Sequence, residues 1–149
     1  MILSSSSFND DGIIPSKHGY KKGNLSPELF IKNIPENTKS LVLFMDDPDA
    51  MAAVGKIWTH WVIWNISPET KHIPENSIPL NSVQGLNDFE EIGYGGPAPP
   101  DKEHKYFFRL YALSKILDEL EGSKIDDIKN SIRSSVIEET ILSGRFSPQ

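Results

Sequence analysis

Apolar residues in this chain fall in short runs broken by proline, glycine and asparagine, not in one long periodic stretch. Four runs read as strands. Ser40 to Met45 carries the unbroken series Leu41-Val42-Leu43-Phe44-Met45, and a run that short and apolar suits a strand buried on both faces. Leu29 to Ile34 alternates loosely. Trp58 to Ile66 sets one histidine among tryptophan, valine and isoleucine. Lys105 to Leu113 is rich in aromatics, with Tyr106, Phe107, Phe108 and Tyr111. Turn signals separate the runs at Pro35-Glu36-Asn37, Asp46-Asp47-Pro48-Asp49 and Ser67-Pro68-Glu69. Only near the C-terminus does the period change. Ser123 followed by Asp126 reads as a capping box, and Ile125, Ile128, Ile132, Val136 and Ile141 then recur at helical spacing. Lys124, Asp127, Lys129, Arg133 and Glu138 take the opposite side, and Gly144 is the expected stop. The prediction is a mostly-β, antiparallel β-sandwich with one C-terminal amphipathic helix packed on it.

Between Ile66 and Pro100 little looks like a strand, and six prolines are placed along the stretch: Pro68, Pro74, Pro79, Pro97, Pro99 and Pro100. Proline limits the freedom a loop must lose on folding, so an ordered loop is expected. At 149 residues the chain has the size of one domain, predicted over 1–149, and can bury roughly 68–70% of its unfolded surface without staples. It has no cysteine, which excludes a disulfide framework, a thiolate metal site and a cysteine nucleophile. A net charge of −6 argues against nucleic acid as a partner, since that needs a basic footprint. The small basic cluster at Lys17, His18, Lys21 and Lys22 reads as a solvated loop. No window approaches the length of a membrane span, the first residues lack the features of a signal peptide, and no basic amphipathic helix or lipid anchor is evident. A cytoplasmic protein with no stable membrane insertion is expected.

Polar residues cluster where strands end. Asp46-Asp47-Pro48-Asp49 follows the most apolar strand, and proline biases Asp47 towards an extended backbone. That tetrapeptide also reads as a plain turn with side-chain to backbone hydrogen bonds. His60 sits in Trp58-Thr59-His60-Trp61, where a structural histidine is the ordinary alternative to a ligand-binding one. Gly93-Tyr94-Gly95-Gly96-Pro97-Ala98-Pro99-Pro100 could let backbone amides approach a ligand, and the prolines would stiffen it. His104 and Tyr106 follow, two apart and so on one face of a strand. These groups could converge on a small anion, on zinc through two histidines and a carboxylate, or on a hydrolytic site. The last lacks a nucleophile elbow of the G-x-S-x-G type.

Three blocks together resemble the phosphatidylethanolamine-binding protein family. Asp47-Pro48-Asp49-Ala50 is similar to its first signature and Trp58-Thr59-His60-Trp61-Val62 to its central strand. The glycine–proline segment, followed by His104-x-Tyr106-x-Phe108-x-Leu110-Tyr111-Ala112-Leu113, is similar to its second signature. Ser26-Pro27-Glu28-Leu29 and Gln84-Gly85-x-Asn87-Asp88-Phe89 add smaller echoes. The resemblance runs from about Leu3 to about Phe146, and the block spacing fits the shorter bacterial and archaeal branch, the Raf kinase inhibitor-like proteins. It implies a β-sandwich with a small pocket at one end that takes phosphate-like anions, including phospholipid head groups. Carried over, the wall of that pocket is Asp47, Asp49, His60, Gly95, Gly96, Pro97, His104 and Tyr106, with Trp58 at the mouth.

Three departures stand out. Met51 replaces a usual proline. Ala98 replaces a cysteine found in many prokaryotic members. Asp101-Lys102-Glu103 precedes His104 where glycine is usual, so two acids would weaken an anion unless they face solvent.

The expected function is a non-enzymatic, regulatory module that binds a phosphate-like anion or phosphorylated small molecule, with no cofactor. The alternative is a serine protease inhibitor or kinase-pathway modulator acting through loops such as Pro74 to Pro79 or the tail Arg145 to Gln149. A homodimer is a further expectation from the family. A metal-dependent or acid–base enzyme using Asp47 and His60 is the third reading.

Overall fold

The computed structural model describes residues 1–149. Its strands are β1 (Ile2–Ser4), β2 (Gly12–Ile13), β3 (Leu29–Lys32), β4 (Ser40–Asp47), β5 (Trp58–Ile66), β6 (His72–Ile73), β7 (Val83–Gln84), β8 (His104–Leu113) and β9 (Val136–Phe146). Helix α1 (Ala50–Val54) joins β4 to β5, and α2 (Ile125–Ile132) lies between β8 and β9.

All eight residues of β4 are buried, as its apolar run requires. It is flanked by β5 and β8, both antiparallel to it, in a six-stranded sheet of order β2-β9-β8-β4-β5-β7. Because side chains alternate across a strand, β4 feeds two cores. On one face Leu41, Leu43 and Met45 join Trp61, Ile63, Tyr106, Phe108 and Leu110. That face packs on a three-stranded sheet, β1-β3-β6, which adds Leu3, Leu29, Ile31 and Ile73. On the other face Val42, Phe44, Val62 and Trp64 are covered by Ile128 and Ile132 of α2, with Leu113 and Leu117. Each such side chain contributes about 1.5–3 kcal/mol by leaving water. The pairs are antiparallel except β2 with β9, which run parallel.

The C-terminal helix is shorter than its periodicity suggests. It ends at Ile132, and the residues from Val136 onward form β9, which pairs with β8 from Leu113↔Val136 to His104↔Phe146. Val136, Ile137, Thr140 and Ile141 are β-branched and favour the pleated backbone, and β8 offers an edge that pairs with their amides. Val136 and Ile141 match the helical spacing by coincidence and lie on the partly exposed side of the sheet. Gly144, expected as a helix stop, is inside the strand, where a Cβ would lie 2.5 Å from the Ile14 side chain. Ser123 does not cap α2 either. Its hydroxyl donates to the Leu120 carbonyl at 2.6 Å, and Lys124 holds the cap position without a side-chain bond.

The long proline-rich connection is ordered along the outer edge of β5. Gly85 N–H donates to the Val62 carbonyl, Asp88 N–H to Thr59 and Gly95 N–H to His60, each at 2.9 Å. The basic cluster is only partly the solvated loop expected. Lys17, Lys21 and Lys22 are exposed, but His18 is buried, with its ring nitrogens bonded to Ser7 Oγ (2.6 Å) and the Leu25 carbonyl (2.7 Å).

Candidate functional site

Asp47, His60 and His104 come from the same end of the large sheet: the last residue of β4, the third of β5 and the first of β8. They meet at a cavity of about 220 Å³. Its other walls are mostly apolar: Ala50, Ala53 and Val54 from α1, Trp58 and Phe89, and Ala98 and Pro100 from the proline loop. A larger groove of about 650 Å³ opens between α1, α2 and the 86–90 segment. It brings together no histidine, and its best-placed acids are engaged: Asp88 with Lys56 at 3.0 Å and Asp46 with Arg109 at 2.8 Å. The smaller cavity is therefore the candidate site.

The two histidines have opposite characters there, set by what each Nδ1 meets. His60 Nδ1–H donates to the Gly95 carbonyl at 2.6 Å, and its ring rests edge-on against Tyr106 and Phe89. Burial pushes its pKa below 6.5, against the pull of the Gly95 carbonyl and of Asp47. His60 is thus neutral near pH 7, and its free Nε2 carries a lone pair. In His104, Nδ1–H donates to Asp47 Oδ2 and Nε2–H to Asp101 Oδ1, both at 2.7 Å. Two carboxylate acceptors require a proton on each ring nitrogen, so this ring is an imidazolium. Burial works against the charge, but the bonds from Asp47 and Asp101 outweigh it and raise the pKa above 6.5.

Asp47 has a second duty. Its Oδ1 accepts the Ala50 N–H at 3.2 Å and so fixes the turn into α1. The turn expected at this residue is present, and the same carboxylate also holds His104. Tyr106, expected in the wall, is fully buried behind it against His60, and its hydroxyl has no hydrogen-bond partner; burial first and the Asp47 charge second push its pKa up. Trp58 lines the cavity, and its Nε1–H is likewise buried and unpartnered.

The remaining residues expected in the wall stand behind it. Asp49 is exposed and accepts the Lys105 N–H at 2.8 Å, which ties the α1 turn to β8. The Gly95 amide is engaged with His60, the Gly96 N–H donates to Asn24 Oδ1 at 2.8 Å, and the Pro97 carbonyl accepts the Tyr20 N–H at 3.0 Å. Gly96 is glycine because of a close approach: a Cβ there would lie 2.0 Å from the His18 carbonyl oxygen. The glycine loop thus packs against the 18–24 segment and aims the Gly95 carbonyl at His60, while the amides of Gly95 and Gly96 are occupied within the protein.

Sequence reasoning missed α1 and its alanines, because five residues leave no period to detect. It noted Phe89 only as an echo, yet that ring stacks on Tyr20 at 3.9 Å and lines the cavity. Of the two acids before His104, Glu103 turns away to Arg145 at 3.3 Å, whereas Asp101 lies on the histidine itself.

A family model described as phosphatidylethanolamine-binding protein matches residues 4–147. A UPF0098 protein from Methanothermobacter thermautotrophicus is 43% identical, and the match covers 98% of each chain. A solved phosphatidylethanolamine-binding protein homologue from Chlamydia trachomatis superimposes with a TM-score of 0.92 at 34% identity, over 99% of this chain and 97% of that one. YbcL from Escherichia coli, described as a member of the mammalian family, gives 0.91 at 26% identity, over 99% and 98%. No helix of the chain is long and apolar enough to cross a membrane.

Proposed function

The chain belongs to the phosphatidylethanolamine-binding protein family, and from that premise we propose that it is a non-enzymatic binding module whose cavity takes a small anionic group, phosphate- or carboxylate-like, attached to a short apolar body. One observation carries the reading: His104 is held as an imidazolium by Asp47 from behind, and its Nε2–H already binds a carboxylate oxygen at 2.7 Å. A donor of this kind, at the wall of an otherwise apolar cavity, favours a charged acceptor strongly, because charge-assisted bonds are roughly twice as strong as neutral ones. His60 refines the choice. A group that only accepts leaves the Nε2 lone pair of His60 unmet, whereas a group that also carries a hydroxyl or protonated oxygen satisfies both rings.

The test is long-range proton–nitrogen NMR of the four histidines during titration with O-phosphoethanolamine. Saturable shifts of His60 and His104, with His18 and His72 still and with the response lost in His104→Gln, support the reading. Shifts absent from both rings, or unchanged in His104→Gln, reject it.

A further inference from the structure

We propose that Asp101 is a built-in competitor for this cavity: its carboxylate occupies the anion position on His104, so an external anion binds only by displacing it. The inference rests on reading the cavity as an anion site.

The geometry supports displacement over permanent pairing. His104 has two donors, and Nδ1–H is committed to Asp47, so Nε2–H is the only donor that ring can offer a ligand. Asp101 takes it. The two carboxylates differ sharply in how they are held. Asp47 has 4% of its side chain exposed, accepts two hydrogen bonds and cannot leave. Asp101 has 42% of its side chain exposed, and the one side chain that holds it is His104. Released, it can be hydrated at once. It sits just past Pro99 and Pro100, three residues before His104, so the tether is short and the carboxylate returns whenever the position empties.

A tethered competitor lowers apparent affinity by the fraction of time the site stands open. Every ligand of that donor must wait for the same opening, so the competitor lowers affinity by one common factor and leaves the ranking of anions to the rest of the cavity. The His104 bond also helps hold the Asp101 carboxyl below its ordinary pKa, although burial acts the other way, so the competitor stays charged near neutral pH.

The experiment compares wild type with Asp101→Ala and Asp101→Asn at pH 6, where Asp47 keeps His104 protonated. Inorganic phosphate and acetate are titrated and followed by calorimetry and by the His104 nitrogen signals. Removing the competitor is expected to tighten both anions by a similar factor, roughly three- to tenfold, and to move the His104 Nε2 signal before any ligand is added. Binding by wild type that is unchanged or weakened in both variants overturns the inference and leaves the cavity as an anion site. So does a His104 Nε2 signal that ignores the substitutions. If neither anion moves His104 in any of the three proteins, the anion site itself falls, and the role of Asp101 with it.

Discussion

Replacing Asp47 with asparagine removes a charge from a position that water cannot fill. The carboxylate accepts from His104 Nδ1 at 2.7 Å and from the Ala50 amide at 3.2 Å, and the residue is 3% exposed. Breaking one half of a buried pair costs about 3–5 kcal/mol when the other charge is stranded. Here His104 can shed its proton, and asparagine still offers one acceptor oxygen, so the expected loss is smaller, about 2 kcal/mol. That corresponds to a fall in Tm of roughly 4–8 °C for a chain of this size. The loss depends on pH in a definite direction. The folded-state pKa of His104 lies above 6.5, so the stability it contributes is fully present below 6.5 and disappears as pH rises through the raised value. The gap between wild type and Asp47→Asn is therefore widest near pH 6 and narrows towards pH 9. Urea unfolding of both proteins at pH 6, 7.5 and 9, followed by tryptophan fluorescence, measures it. A gap below about 0.5 kcal/mol at pH 6, or one that does not change with pH, refutes the claim that Asp47 holds His104 charged.

Gly96→Ala should destabilise by about 3 kcal/mol, because its Cβ would lie 2.0 Å from the His18 carbonyl and 2.9 Å from the Tyr20 amide, both backbone atoms. Gly55→Ala has φ +82° but nothing within 4 Å, so it should cost only about 1–2 kcal/mol; thermal melts giving the reverse order would contradict the packing role of the loop. Burial lowers the pKa of both His18 and His60 below 6.5, so stability should fall as pH drops from 6.5 through their folded values, by up to about 1.4 kcal/mol per pH unit for each ring. Calorimetric melts that stay level between pH 6.5 and 5 would show that neither ring is held neutral. Sulfate, whose charge is constant over the range, should bind the cavity more tightly at pH 6 than at pH 9, since His104 loses its proton as pH rises through its raised pKa; equal affinity by calorimetry would mean that His104 is not the donor.

The parts of the fold legible in the sequence are those whose signal is local. The unbroken run of β4, the tryptophan-rich β5 and the aromatic β8 build the centre of the large sheet, and composition alone marks them as strands. β1, β2, β6 and β7 are two or three residues long, too short for any alternation to register. β9 failed for a different reason. Its isoleucine and valine positions continue a helical spacing that is real as far as Ile132. What ends the helix is the neighbouring edge of β8, a partner that arrives through tertiary structure and outweighs spacing.

The site shows the same division between identity and role. Asp47, His60 and His104 are visible as residues because polar side chains at the ends of apolar strands stand out. Their roles are not, since two histidines of equal composition become a neutral acceptor and a charged donor. The difference lies in one contact each: a backbone carbonyl from the glycine loop meets His60 Nδ1, and a buried carboxylate meets His104 Nδ1. A carbonyl fixes the tautomer without compensating a charge, so burial prevails and the ring stays neutral; a carboxylate compensates the charge, so the ring keeps its proton. Gly95 and Gly96, which resemble an anion cradle, matter because they deliver that carbonyl. The cavity therefore presents one donor and one acceptor on the two strands that flank β4, and the donor is already covered by Asp101. A carboxylate in the chain, set three residues before the histidine it blocks, makes the affinity of the pocket depend on the loop that precedes β8 as well as on the strands that build it.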